Sequence, residues 1–201
     1  MTYFIKNDKI LLEKEEVYMK LELIKMPFDD ETNLGESHIL GCPDVPSIWN
    51  DEVIFFNDEV FLGQINLKDV DHPLLPKEGI LYFFIAAMSN PYRGIVRYSN
   101  DLNNLERIDF NSESPLKFDY SLEYGVEFKD EDGDVSFLGK MPKLKDYKVT
   151  KEEVCLLTLD FSNYSEIDLF KELTDPICFL IKKEDLENKK FANAYLANSL
   201  N

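Results

Sequence analysis

Only two histidines, His38 and His72, occur in the chain, so any nucleophile working with a histidine base must be built around one of them. Such catalysis needs a Ser or Cys with the base in hydrogen-bond reach and a third group orienting the base. His38 and Cys42 stand four residues apart, but Pro43 and Pro46 keep that segment from being helical, so the spacing does not set them side by side. His72 falls in Asp69-Val70-Asp71-His72-Pro73, a polar turn. Both histidines are expected to be solvated loop residues, and no catalytic residue is assigned. Asp130, Asp132 and Asp134 have the one-three-five spacing of a calcium loop. Such a loop wants Gly at its sixth place and Glu at its twelfth, and here those places hold Val135 and Met141. A turn without metal accounts for the segment. Gly63, Gly79, Gly94, Gly125, Gly133 and Gly139 stand alone, so no glycine-rich phosphate cradle forms and no cofactor is expected.

Two polar constellations remain. Gln64 and Asn66 interrupt an apolar stretch at alternate positions and share one strand face. Buried amides need partners, and these two are expected to pin loops to a sheet, with the Pro43/Pro46 segment as one candidate; the other reading has them lining a groove. Tyr92-Arg93-Gly94-Ile95-Val96-Arg97-Tyr98 puts Arg93 and Arg97 on one face, either paired with local carboxylates or offered to an anionic group beside Trp49. Trp49, Gln64, Asn66, Arg93 and Arg97 are therefore the candidate groove residues.

The charge balance narrows the partners. Thirty-nine carboxylates oppose 22 Lys and Arg, for a net charge of −17. Binding nucleic acid or anionic lipid relies on Lys and Arg meeting phosphates, so neither is expected as a partner. A basic, toxin-like protein would be attracted and its encounter accelerated. Cys42, Cys155 and Cys178 form no C-x-x-C pair, which argues against a disulfide framework or structural zinc; they are expected to be small buried apolar residues. No secretory h-region or bilayer-length apolar run occurs, and a cytoplasmic location is expected.

Elements follow from periodicity. A short helix is expected at Lys9–Glu16, and strands at Val17–Ile24, Val53–Phe56, Val60–Leu67, Ile80–Met88, Gly94–Ser99, Leu156–Phe161 and Ile177–Ile181. Ile80–Met88 has no charge and belongs at the centre of a sheet. A loop is expected at Phe28–Glu36, a surface crossing at Asn111–Tyr120, and a short helix from Glu184. Asp132-Gly133, between Val126–Phe128 and Val135–Phe137, predicts a hairpin. Acidic pairs such as Asp58/Glu59 and Glu152/Glu153 are expected to solvate strand ends. The order also repeats: Leu40-Gly41 returns as Leu138-Gly139, Glu59–Leu67 as Glu153–Phe161, and Ile80–Ile85 as Ile177–Ile181, at offsets of 94 to 98 residues. Two related units burying their apolar faces together would produce this. The expectation is a single domain over 1–201, α+β in class and mainly antiparallel sheet, from two degenerate copies at about 37–100 and 135–196 with a few short helices.

Three stretches resemble the YwqG-like family of bacterial domains of unknown function. They are Ser37-His38-Ile39-Leu40-Gly41-Cys42-Pro43-Asp44-Val45-Pro46 with Trp49; Phe61-Leu62-Gly63-Gln64-Ile65-Asn66-Leu67 with Leu75-Pro76-x-x-Gly79-Ile80-Leu81-Tyr82-Phe83-Phe84; and Phe179–Leu186 with Phe191. The resemblance implies a duplicated, sheet-rich fold and no particular reaction. Relatives near secreted-toxin clusters suggest an immunity or accessory role. The chain is therefore expected to be an acidic, non-catalytic binding protein that engages a basic partner. The alternative is a small-molecule or peptide binder with a groove between the two copies.

Overall fold

Ile80-Leu81-Tyr82-Phe83-Phe84-Ile85-Ala86 is buried along its whole length, and its two faces pack into different cores. Leu81, Phe83 and Ile85 join the main core, while Ile80, Tyr82 and Phe84 join a smaller cluster on the other side. A strand with apolar neighbours on both faces reads as an unbroken apolar run. Ile177–Lys182 divides the same way, with Ile177, Phe179 and Ile181 facing the main core and Cys178 and Leu180 facing a third cluster.

The structure, a computed structural model, describes residues 18–27, 31–51, 58–86, 89, 92–108, 122–145, 147–148, 150–164, 166–167 and 176–197. The helix expected at Lys9–Glu16, the strand at Val53–Phe56 and the crossing at Asn111–Tyr120 lie outside them. Twelve strands are described: β1 Met19–Lys25, β2 His38–Leu40, β3 Asp44–Pro46, β4 Glu59–Asn66, β5 Ile80–Ala86, β6 Arg93–Ser99, β7 Leu105–Arg107, β8 Glu123–Lys129, β9 Val135–Phe137, β10 Glu153–Leu159, β11 Ile177–Lys182 and β12 Tyr195–Leu196. The described α-helices are α1, Ser47–Asp51, and α2, Lys183–Glu187. The fold is thus mostly antiparallel sheet with few, short helices. None of the described helices is long and apolar enough to cross a membrane.

Ten strands form one sheet in the order β12-β11-β10-β9-β1-β8-β2-β4-β5-β6, and β3 pairs with β7 as a separate ribbon. Each pairing is antiparallel. The sheet curls until its ends nearly meet, since β12 packs against β6. At Gly94 on β6 an added methyl would stand 2.8 Å from the Phe179 ring and 2.9 Å from Leu196 Cγ. Phe83 and Phe179 touch inside, with ring centroids 5.2 Å apart.

The hairpin expected at Asp132-Gly133 does not form. β8 and β9 each pair with β1 and not with each other, so β1 lies between them. The turn carries the chain past the start of β1, where Lys20 ion-pairs with Glu131 at 2.9 Å. A glycine turn between alternating stretches suits a hairpin locally, but it cannot reveal that a distant strand inserts between the arms.

The sheet order reads the same from both ends once β1, β2, β4, β5 and β6 are exchanged for β8, β9, β10, β11 and β12. The register of β4 on β5 shifts between Phe61 and Gly63, and that of β10 on β11 between Cys155 and Leu157. Leu40, at the end of β2, and Leu138, directly after β9, have left-handed backbone with φ of 62° and 49°. That conformation costs an L-residue about 1–2 kcal/mol.

Candidate functional site

The polar residues of the first half converge under the loop that carries β2 and β3. β4 bulges at Leu62, which turns Gln64 and Asn66 to the outer face of the sheet beneath residues 31–46. Gln64 is fully buried. Its Nε2 donates to the Asp44 carboxylate at 2.9 Å and to the Glu36 carbonyl at 2.8 Å, and its Oε1 accepts from Asp44 N–H at 2.9 Å. Asn66 donates to the Gly35 carbonyl at 2.6 Å, and its own N–H donates to the Ser37 hydroxyl. Both amides therefore hold the loop, including the Pro43/Pro46 segment.

Asp44, also fully buried, is the hub. The Arg107 guanidinium donates to it through Nε at 2.7 Å and Nη2 at 3.1 Å, and the Gly35 N–H donates to it at 2.9 Å. Arg107 also reaches Glu31 at 2.9 Å and lies 3.7 Å from Glu123. Burial works against its charge, but the Asp44 hydrogen bonds and nearby carboxylates hold the guanidinium above its ordinary pKa. Tyr82 donates to the Asp44 carbonyl at 2.7 Å, and burial raises its phenol.

His38 is not a solvated loop residue. It sits on β2 with no exposed surface, edge-on to Phe61 at 5.6 Å. Its Nδ1 lies 3.2 Å from the Thr32 hydroxyl and its Nε2 lies 3.1 Å from the Cys42 carbonyl. Desolvation holds its pKa below the ordinary histidine value of 6.5. The short run Ser37–Leu40 lacks a strong alternation, so the strand that buries His38 leaves little signal. His72 does stand in a turn, where its Nδ1 accepts from Leu74 N–H at 3.3 Å. His38 meets Cys42 through the cysteine carbonyl. The arrangement is a closed hydrogen-bond network, and the ring nitrogens face these groups rather than an open cleft.

The remaining groove candidates share the outer face of β4–β5–β6. Gln64, Tyr82 and Arg97 form one cross-strand row. Arg97 grips Glu59 with both ends of its guanidinium, at 2.6 and 2.7 Å, and lies 5.0 Å over the Phe84 ring. Glu59 is buried, so it does not solvate the end of β4 as expected. Trp49, on α1, packs on Tyr82 at 5.3 Å. Arg93 is exposed at the start of β6.

The second half differs at the matching place. Thr158 on β10 pairs with Ser136 on β9 and Cys178 on β11, as Gln64 on β4 pairs with His38 on β2 and Tyr82 on β5. A cavity of about 350 Å³ opens there, lined by Asp132, Asp134, Met141, Pro142, Thr158 and Asp160 among others. No three His, Cys, Asp or Glu side chains among the described residues converge as a metal site. Behind the cavity Cys155 and Cys178 bring their sulfurs to 3.1 Å. Glu153, at the start of β10, accepts from Tyr147, Tyr195 and Thr150. Burial alone would raise its carboxyl, but these donors prevail and hold it at about 2.

No curated protein matches the chain. The sequence profile of one family matches residues 37–173, which span β2 to the segment after β10 and include both Gln64 and Thr158. The chain belongs to that family, described as a domain of unknown function, DUF1963.

Proposed function

We propose that this chain is a non-catalytic binding protein whose acidic exterior engages a basic protein, as an immunity or antitoxin-type factor does in a bacterial cytoplasm. The observation that carries this reading is how the charges are distributed. Net charge is −17, and Arg97 and Arg107 turn inward to Glu59 and Asp44. Asp69, Asp71, Glu78, Asp130, Asp132 and Asp134 are exposed. Exposed Lys68, Lys77, Lys140 and Lys143 stand among them, and the net negative field that remains steers an oppositely charged protein and selects against anionic partners. The polar groups suited to acid–base work, His38 and Asp44, are hydrogen-bonded in the first-half network, which supports a scaffold rather than a catalyst.

Within the family the chain reads more finely as YwqG-like, on the block from Phe61 to Phe84, and as two copies of one ancestral unit. Matching register shifts at Leu62 and Leu156 and left-handed Leu40 and Leu138 support the duplication. They recur at offsets of 94 and 98 residues, within the range of offsets found in the sequence.

The test is capture of a basic protein by the immobilised chain, repeated with Asp130, Asp132 and Asp134 changed to Asn. The reading expects one saturable partner whose recovery falls in the variant. Equal recovery by both would contradict it. A second reading, a small-molecule or peptide binder, draws on the cavity beside Thr158. It expects a cationic or amphipathic ligand to protect that region in amide exchange.

A further inference from the structure

Cys155, Cys178 and Met141 occupy the outer face of β10 and β11 for a definable reason. The bulge at Leu156 resets the alternation of β10, so Cys155 and Thr158, three residues apart, both face outward. Their neighbours across the strand pair are Leu180 and Cys178. Leu144, Tyr147, Tyr195 and Ala197 close over this cluster. Inside it, Cys155 Sγ lies 3.1 Å from Cys178 Sγ, Cys178 Sγ lies 3.9 Å from Met141 Sδ, and the Thr158 hydroxyl lies 3.0 Å from Cys155 Sγ.

We propose that Cys155, Cys178 and Met141 form a three-sulfur site for one soft monovalent cation of the Cu(I) class, entered through the cavity beside Thr158. Two thiolates and a thioether are the donor set that selects a soft ion over hard divalent cations. A metal–sulfur bond is about 2.3 Å for zinc; at that length three sulfurs around one ion stand about 4 Å apart. The Cys178–Met141 separation of 3.9 Å already has this value, and the Cys155–Cys178 separation of 3.1 Å has to open to it. Disulfide formation would need a similar movement inward and would give Met141 no role. The third sulfur therefore favours the metal.

Access and support are both present. Met141 and Thr158 line the cavity, whose wall also carries Asp132, Asp134 and Asp160. With Lys140 also in the wall, the three carboxylates leave the opening net negative, which draws cations, but they are too hard to retain a soft one. The Thr158 hydroxyl supports Cys155 as an outer partner. The Cys178 hydrogen bond lowers the Cys155 thiol below its usual range, and the same bond raises Cys178. On binding, the two S–H bonds break and their protons leave to solvent, three metal–sulfur bonds form, two from the thiolates and one from a lone pair of the Met141 thioether, and the ion keeps its oxidation state.

The test is anaerobic competition for Cu(I) between the reduced full-length chain and a coloured Cu(I) chelator. Copper X-ray absorption on the loaded chain supplies a second measurement. One ion per chain, withheld from the chelator in a sulfur-only, three-coordinate shell, is expected. Cys155→Ser and Cys178→Ser should weaken binding by more than the roughly 10–100-fold that losing an outer partner costs. Met141→Leu should weaken it less and reduce the shell to two sulfurs, and Cys42→Ser should leave it unchanged. Cu(I) held no better by the wild type than by Cys155→Ser, oxygen or nitrogen ligands in the absorption spectrum, or recovery of a Cys155–Cys178 disulfide with free copper would each overturn the site. The spectrum of the wild type decides the matter even where a serine variant does not fold.

Discussion

Replacing Gln64 with leucine would remove the side chain that joins Asp44 to Glu36 and leave the Asp44 N–H and the Glu36 carbonyl without it. Each such loss costs about 1–3 kcal/mol, so Gln64→Leu is expected to lower the midpoint of urea unfolding accordingly. Thr158→Leu, at the matching sheet position beside open space, should cost less. Two ionisable groups also predict how stability follows pH. His38 is held below 6.5 by burial, so its neutral form is stabilising above the unfolded value. That contribution is lost as pH falls below 6.5, with an added slope of at most about 1.4 kcal/mol per pH unit. His38→Gln should lack this slope in denaturation series between neutral and mildly acidic pH; an identical slope would show that His38 does not carry it. Glu153, depressed from 4.5 to about 2, stabilises above 4.5, and that contribution is lost as pH falls toward 2. Glu153→Gln should flatten the acid limb of the melting temperature. That Gln64 and Asn66 pin loops could be read from two amides at alternate positions in an apolar strand. The burial of His38 and Glu59 could not: Thr32 and Cys42 lie near His38 in sequence but in loops with no period to show that they fold over it, and Arg97 reaches Glu59 from 38 residues away.

At the scale of elements, the strands with long apolar runs were legible, and β4 shows why alternation alone was not enough. Its bulge at Leu62 breaks the two-residue period, so Val60, Leu62 and Ile65 face the main core while Phe61 and Gln64 face outward. The same reset on β10 puts Leu156 and Leu157 in one core. Gly63, next to the bulge, lets β2 approach closely: an added methyl would stand 2.8 Å from the His38 carbonyl oxygen and 2.8 Å from Ile39 Cδ1. Gly63→Ala is therefore expected to cost about 1–3 kcal/mol, read from chemical denaturation, with the loss of protection centred on β2 amides. The short strands β2, β7 and β12 left little sequence signal, since two or three residues give no period. The position of β1 between β8 and β9 was hidden for a different reason. It depends on pairing over more than a hundred residues, while the turn at Asp132-Gly133 satisfies a hairpin locally.

For the molecule as a whole, the apolar interior and the acidic exterior have separate consequences. Closure of the sheet depends on the fit of β6 against β12 at Gly94. Gly94→Val is expected to part that seam and speed amide exchange in β12 and β6 while the β1–β8 centre keeps its protection; uniform exchange throughout would mean the seam is not a separate element of closure. The exterior is where function is expected, and composition alone pointed there through a net charge of −17. The most direct measurement is the rate at which a captured basic partner associates with the chain as ionic strength rises from about 0.01 to 1 M, where the screening length shrinks from about 30 to 3 Å. The account predicts a steep fall in association rate with little change in dissociation. A rate indifferent to salt would contradict it.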